Sequence, residues 1–322
     1  MVRSTGVAFR SALLALLISA SAAVAQPSGR VVTMIVPYAA GGGVDVVARA
    51  VADQLQQRLG QPVIVDNKPG ASGNIGTNAA ARAPADGHTL LMVADPPFTA
   101  NVSLMKNVPY DPVKGFTPVA EVVLGTMALT VNASLPTAST KEFIDYVKAR
   151  PAQINYGSSG VGTPHHLAME FFKRVAGLNL MHVPFRDNAG ATSNLLGGHV
   201  SAIFLPLNVS VTLPQDKVRI LAVTSTKRSP AAPNLPTVME AGLEGFEADV
   251  RFGILAPPGT PNDIVQRTNA AINEVVRSAP FVAKMTALGL VPTGGTPEDY
   301  GRGIAADFAK WRKVIAEAGI AE

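Results

Sequence analysis

The sequence has no cysteine, and that absence bears first on how the fold is held together. With no disulfide available in any compartment, the chain depends on its own apolar core. Aromatic residues make up 6% of the chain and include one tryptophan, and Lys and Arg do not cluster. A nucleic-acid surface needs a basic patch with stacking rings, so nucleic acid is not expected as a partner. No apolar run beyond the N-terminal region approaches the roughly 20 residues a bilayer span requires. Signatures of chemistry are missing as well. Gly157-Ser158-Ser159-Gly160-Val161 fails the last position of a Gly-x-Ser-x-Gly nucleophile elbow. Gly41-Gly42-Gly43 lacks the spacing of a dinucleotide loop and has no following Lys-Ser/Thr. His165 and His166 are adjacent and diverge on a helix, and His166 with Glu170 lacks a third ligand, so neither pattern makes a metal site. No catalytic set, metal or cofactor is expected.

What is present begins with a leader. Arg3 and Arg10 precede the apolar run from Ser11 to Ile18, and small residues close on Ala23-Val24-Ala25-Gln26. That order matches a secretory signal peptide cleaved after Ala25. Export to the periplasm is the expected localisation. Of 27 basic and 23 acidic residues, removing Arg3 and Arg10 leaves 25 against 23, a formal charge of +2. At 47% hydrophobic, the remaining chain can bury a sizeable core, and its length favours two domains.

From Arg30 onward short β-rich runs alternate with helical patterns, which indicates an α/β fold with mainly parallel sheets. Val31 to Val36 is nearly all apolar, as in a strand covered on both faces. Gly41-Gly42-Gly43 follows, then Val44, Val47, Ala48, Val51, Leu55 and Leu59 at helical spacing, ending at Gly60. Further strand-to-loop units run from Val63 into Asn67–Gly76 and from Thr89 into Asp95. Val119 to Val131 reads as one extended segment crossing between domains. A second set follows, with a Ser139/Glu142 capping box, a glycine-rich loop over 157–163 and a helix from His165 to Ala176. Phe252 to Ala256 returns to the first domain. Two amphipathic helices then complete the chain, each with a Thr cap and a following Pro, at Thr260-Pro261 and Thr296-Pro297. The expected domains are 26–125 together with 246–322, and 126–245, after a signal peptide over 1–25. Two crossings between domains make a hinge that can close on a ligand.

Glycine-rich loops at helix N-termini expose backbone N–H donors at the positive end of the helix dipole, where a carboxylate can bind without a cationic side chain. Each loop taken alone is also compatible with a simple tight turn. Asp45, in the first helical turn, favours that plainer reading, because its own charge satisfies the dipole.

The combination of motifs resembles a known family. Val36-Pro37-Tyr38-Ala39-Ala40-Gly41-Gly42-Gly43-Val44-Asp45 with Arg49, Asn67-Lys68-Pro69-Gly70-Ala71-Ser72-Gly73, Asp86-Gly87-His88, Gly160-Val161-Gly162-Thr163 with His166-Leu167, His182-Val183-Pro184 and Ala256-Pro257-Pro258-Gly259-Thr260-Pro261 are similar to the Bug-type (TctC-like) substrate-binding proteins of tripartite tricarboxylate transporters. The resemblance spans essentially the whole chain after the leader. It implies a periplasmic binding protein of type II (Venus flytrap), two α/β domains joined by two crossover strands. It also implies capture of a small carboxylate-bearing ligand, partly through ordered water, by a monomer that delivers it to membrane permease subunits. A periplasmic sensor for a signalling system, or an enzyme acting on the same acid, are the competing expectations. By position the ligand would face Tyr38, Ala39, Gly42, Gly43 and Asn74 from one domain and Ser158, Gly162 and Thr163 from the other. The chain departs from the family at Phe185-Arg186-Asp187-Asn188, where Tyr-Lys-Gly is usual, at Arg251-Phe252-Gly253 and at Ser201. Arg186 and Asn188 therefore join the candidate ligand-binding residues. Arg186 is expected either to clamp a carboxylate bidentately or to be a solvated arginine paired with Asp187.

Overall fold

A computed structural model describes residues 29–95 and 97–320; the expected signal peptide lies outside these residues. The chain forms two sheets. The first contains β1 (Val32–Val36), β2 (Val63–Asn67), β3 (Thr89–Ala94), β4 (Thr117–Gly125), β10 (Val250–Ala256) and β11 (Leu290–Pro292), in the order β11-β4-β10-β3-β1-β2. The second contains β5 (Met127–Asn132), β6 (Asn155–Ser158), β7 (Met181–Pro184), β8 (Ala202–Pro206) and β9 (Val218–Val223), in the order β7-β6-β8-β5-β9. The two orders share one plan. In each sheet three parallel strands sit second-first-third, and an antiparallel strand is inserted before the next. The inserted strand is β10 in the first sheet and β5 in the second, so each is supplied by a chain crossing. This is the two-lobed Venus flytrap arrangement.

The helices follow from the local sequence. α1 (Gly43–Leu59) buries Val47, Ala48, Val51 and Leu55 and stops at Gly60 in the left-handed conformation. α2 (Asn74–Ala81) and α3 (Pro97–Leu104) complete the first lobe's early units. α4 (Thr140–Lys148) starts as expected, with Ser139 Oγ accepting from the Glu142 N–H; the Glu142 carboxylate reaches back to the Ala138 N–H. α5 (Pro164–Ala176), α6 (Asn188–Leu196) and the short α7 (Leu207–Ser210) belong to the second lobe. α8 (Asn262–Arg277), α9 (Ala279–Ala287) and α10 (Pro297–Ala318) follow β10. Three helices thus end the chain, where the periodicity predicted two, because Ser278 both closes α8 and caps α9. Thr296 caps α10 as expected, but Thr260 does not cap α8, since its hydroxyl donates to the Pro257 carbonyl.

The segment Val119–Val131 is likewise not one strand. It divides at Thr126 into β4 of one sheet and β5 of the other, so the break marks the outward crossing. The return crossing ends at Asp249, immediately before β10. A buried knot joins the two: the Asp249 carboxylate accepts from Thr224 Oγ1 at 2.6 Å and from Thr126 Oγ1 at 3.2 Å, and Thr224 Oγ1 accepts from the Met127 N–H at 2.9 Å. Burial drives the Asp249 carboxyl up to about 7. The core is also continuous across the lobes on one flank. Trp311, Val314 and Ile315 of α10 share a buried cluster with Phe171 and Phe246, while Tyr300 and Ile304 of the same helix pack with Leu91, Phe98 and Leu255 of the first lobe.

Candidate functional site

The loops that follow β1 and β6, one from each lobe, meet at a cavity of ≈ 460 Å³. That size falls within the several hundred Å³ common for small-molecule sites. Gly41, Gly43 and Val46 line it from the first lobe, and Ser159, Thr163, Pro164 and His165 from the second. Thr126, Met127, Val250 and Phe252 form its wall along the crossings; Leu288, Gly289 and Leu290 of the first lobe and Asn188, Pro206 and Asn208 of the second complete the lining. A smaller cavity of ≈ 220 Å³ also lies between lobes, bounded by Tyr38, Ser72, Asn101 and Leu104 on one side and Val161, Gly162 and Thr163 on the other.

Asp45 shapes the first loop. Its buried carboxylate accepts from the Gly41 N–H at 2.8 Å, Arg49 Nε at 3.0 Å and Asn67 Nδ2 at 2.9 Å. Burial alone would raise this carboxyl, but the Arg49, Gly41 and Asn67 donors outweigh it and bring it down to about 2. Asn67, at the end of β2, also donates to the Tyr38 carbonyl. The aspartate therefore folds the loop back on α1. The cap position is Gly42, which offers no side-chain acceptor, so the first-turn N–H groups of Gly43 and Val44 are free of capping.

The second loop is built on histidine. Gly162 donates its N–H to His166 Nδ1 at 3.0 Å, and Ser159 Oγ and His165 Nδ1 are 2.7 Å apart. Ser158 Oγ lies 2.6 Å from His182 Nε2, whose ring packs near-parallel beside both Tyr156 and His166 at centroid distances of 4.8 and 4.0 Å. Burial lowers His165 to about 4; burial, with His182 and Lys173 nearby, lowers His166 to about 3. Both rings are therefore neutral at pH 7. A neutral ring gives His166 the bare Nδ1 that Gly162 needs as an acceptor. Thr163, at the cap position of α5, turns its hydroxyl to the Gly160 carbonyl at 2.7 Å and does not cap the helix. Hence α5, like α1, presents its N-terminus to the cavity without a side-chain cap. By contrast, Ser139, Asp187, Ser278 and Thr296 cap α4, α6, α9 and α10.

The residues expected from the sequence fall in several places. Gly43, Thr163 and Asn188 line the larger cavity, and Tyr38, Gly162 and Thr163 the smaller one. Ala39 and Gly42 are exposed in the loop between them. Ser158 and Asn74 are buried: Ser158 faces His182, and Asn74 accepts from Asn101 Nδ2 at 3.1 Å. Arg186 is exposed and lines neither cavity, and it makes no ion pair with Asp187, whose carboxylate caps α6 through the Gly190 N–H at 2.7 Å. Arg251 is held away from the cavity by Glu121, by Asp307 at 3.1 Å and by Glu247 at 3.9 Å. His165 and Ser159 escaped the sequence reasoning. Their signal was the pairing of a loop serine with a histidine in the first turn of the next helix.

Glycine fixes how closely the lobes approach. Gly162 has φ +74°, and a Cβ there would lie 2.6 Å from Leu104 Cδ1 of the first lobe. Gly289 has φ +71°, and a Cβ there would lie 2.4 Å from the Asn208 Cβ of the second lobe, so the two lobes touch at this point of the cavity rim. Among the described residues no group of three or more His, Cys, Asp or Glu is arranged to hold a metal, and no helix is long and apolar enough to cross a membrane.

Comparison with known proteins agrees with this architecture. The periplasmic binding protein BugD is 34% identical and covers 91% of this chain and 98% of its own, with a TM-score of 0.71. The R. palustris protein Rpa4515, solved with adipate, is 37% identical over 91% of this chain and 99% of its own, with a TM-score of 0.75. MatC from Rhodopseudomonas palustris, solved with bound malate, is 30% identical over 89% and 99%, with a TM-score of 0.72. The family model for the tripartite tricarboxylate transporter family receptor matches residues 47–320, and the chain belongs to that family.

Proposed function

We propose that the protein is an extracytoplasmic receptor that captures a small carboxylate between its lobes and presents it to the membrane subunits of a tripartite tricarboxylate-type transporter. One observation carries this reading: two helices, one from each lobe, bring uncapped N-termini to one cavity. Backbone N–H groups at such ends favour an anion. An acceptor that takes donors from both lobes is bound best when they are closed, and that difference is what a partner can detect. Adipate and malate in the related structures are consistent with an acid as ligand.

In this reading the leader is removed after Ala25 and the mature protein works in the periplasm. Residues 26–125 with 246–322 then move against 126–245. The loop from Tyr38 to Gly43 with the turn from Ser158 to Thr163 supplies the donors, Asn188 borders the ligand, and Asn74 supports the first lobe's second loop. A thermal-shift screen of the mature protein against a panel of small acids tests the assignment. A ligand at about 100 times its dissociation constant adds about 2.7 kcal/mol of stability. Stabilisation by at least one acid, but not by its amide, is expected, and a flat response across the panel refutes the reading. Capture of the permease subunits by the acid-loaded protein, and weaker capture by the empty one, tests delivery.

A further inference from the structure

Resting on the proposed carboxylate site, we infer that the preferred ligand carries a single carboxylate on an apolar body, unlike the diacids held by the related structures. The charge available in the cavity is the first ground. No Lys or Arg side chain lines it among the described residues. The nearby cations are committed elsewhere, with Arg49 bonded to Asp45 and Asn67, and Arg251 to Glu121 and Asp307. Arg186 points to solvent, and His165, the one titratable ring in the lining, is neutral. What remains positive is the two helix ends, each equivalent to roughly half an elementary charge. Together they balance about one carboxylate, and Asp45 already offsets part of the share from α1.

The wall is the second ground. Met127, Val250, Phe252, Leu288 and Leu290 face the cavity together, from the outward crossing, the return strand and the α9–β11 turn. A second carboxylate reaching this wall would lose its hydration with no cation to replace it. A methyl group, an alkyl chain or a ring would instead gain by leaving water.

Hexanoate and adipate make a matched pair, because they differ only in a terminal methyl against a second carboxylate. Calorimetric titration of the mature protein is expected to give hexanoate at least about tenfold tighter binding than adipate. From butanoate to hexanoate the affinity rises by about fourfold per methylene. Leu288 is 36% exposed, so Leu288→Arg tests the wall with little risk to the core. Supplying the missing cation there raises the adipate-to-hexanoate affinity ratio by about tenfold. Adipate binding equal to or tighter than hexanoate, or a ratio unmoved by Leu288→Arg, overturns the single-carboxylate inference while leaving a carboxylate receptor in place. An acid panel that yields only diacid ligands while hexanoate fails to bind overturns it in the same way. If hexanamide binds as well as hexanoate, or no acid binds at all, the carboxylate site itself fails and this inference falls with it.

Discussion

Asp249→Asn tests the knot that joins the two crossings. The carboxyl is buried, accepts from Thr224 and Thr126, and has Glu247 and Arg251 as charged neighbours. Burial, with a smaller push from Glu247, raises it from 3.8 to about 7 against the opposing hydroxyl donors and Arg251. The folded state therefore keeps the proton that the unfolded chain releases near pH 4. Stability from this group is fully present below pH 4 and is lost as the pH rises to about 7, after which nothing further is lost. At about 1.36 kcal/mol per pK unit, the whole change amounts to about 4 kcal/mol. Relaxation of the strand ends reduces it, so about 2–4 kcal/mol is expected. Asparagine keeps the shape and an acceptor for Thr224 but never ionises. Urea unfolding of both mature proteins between pH 4 and pH 8 reads the difference, and subtracting one curve from the other cancels the groups they share. The two are expected to match near pH 4, and the variant to be the more stable at pH 8. Parallel curves across that range refute a buried, protonated hinge carboxyl.

Three further outcomes are expected. Asp45→Ala removes the buried, charged acceptor of three hydrogen bonds that hold the first loop; at about 1.5–3 kcal/mol for a hydrogen bond to a charged group, the loop loosens and ligand affinity falls at least about tenfold, measured by calorimetric titration. Gly162→Ala puts a Cβ at a left-handed backbone position, φ +74°, and against the tip of Leu104, so the second loop is strained and ligand affinity falls, measured by calorimetric titration. Arg186→Ala leaves the affinity within about twofold, because the side chain lines neither cavity; a tenfold loss would restore the clamp.

Much of the fold was legible because local signals sufficed. Strands covered on both faces left nearly unbroken apolar runs such as Val32–Val36 and Leu90–Val93, and Gly60 and the Ser139/Glu142 pair marked helix ends by their backbone chemistry. The expected domain boundary fell at 125/126, but the division of Val119–Val131 into two strands was not legible, since β4 and β5 are both β-rich and only their partners differ. The glycine loops could be placed at the site from sequence, because their backbone conformation is a local property. The apolar wall could not: Met127, Phe252 and Leu290 are far apart in the chain and meet only through packing. Asn74 and Ser158 show the reverse limit. Their positions beside the loops were readable, but the side-chain directions depend on Asn101 and His182, which other elements supply.

Connectivity along the chain and connectivity through the core differ in one place, at α10. The chain returns to the first lobe at β10 and supplies no further strand to the second sheet among the described residues, yet the far end of its last helix is seated in the second lobe's apolar cluster through Trp311, Val314 and Ile315. That helix is a pin through both leaves of the door. A motion that keeps Trp311 seated would have to swing about this flank, so separation of the lobes would be greatest away from it. A shortened chain lacking the pin would lose its axis of rotation before it lost either leaf.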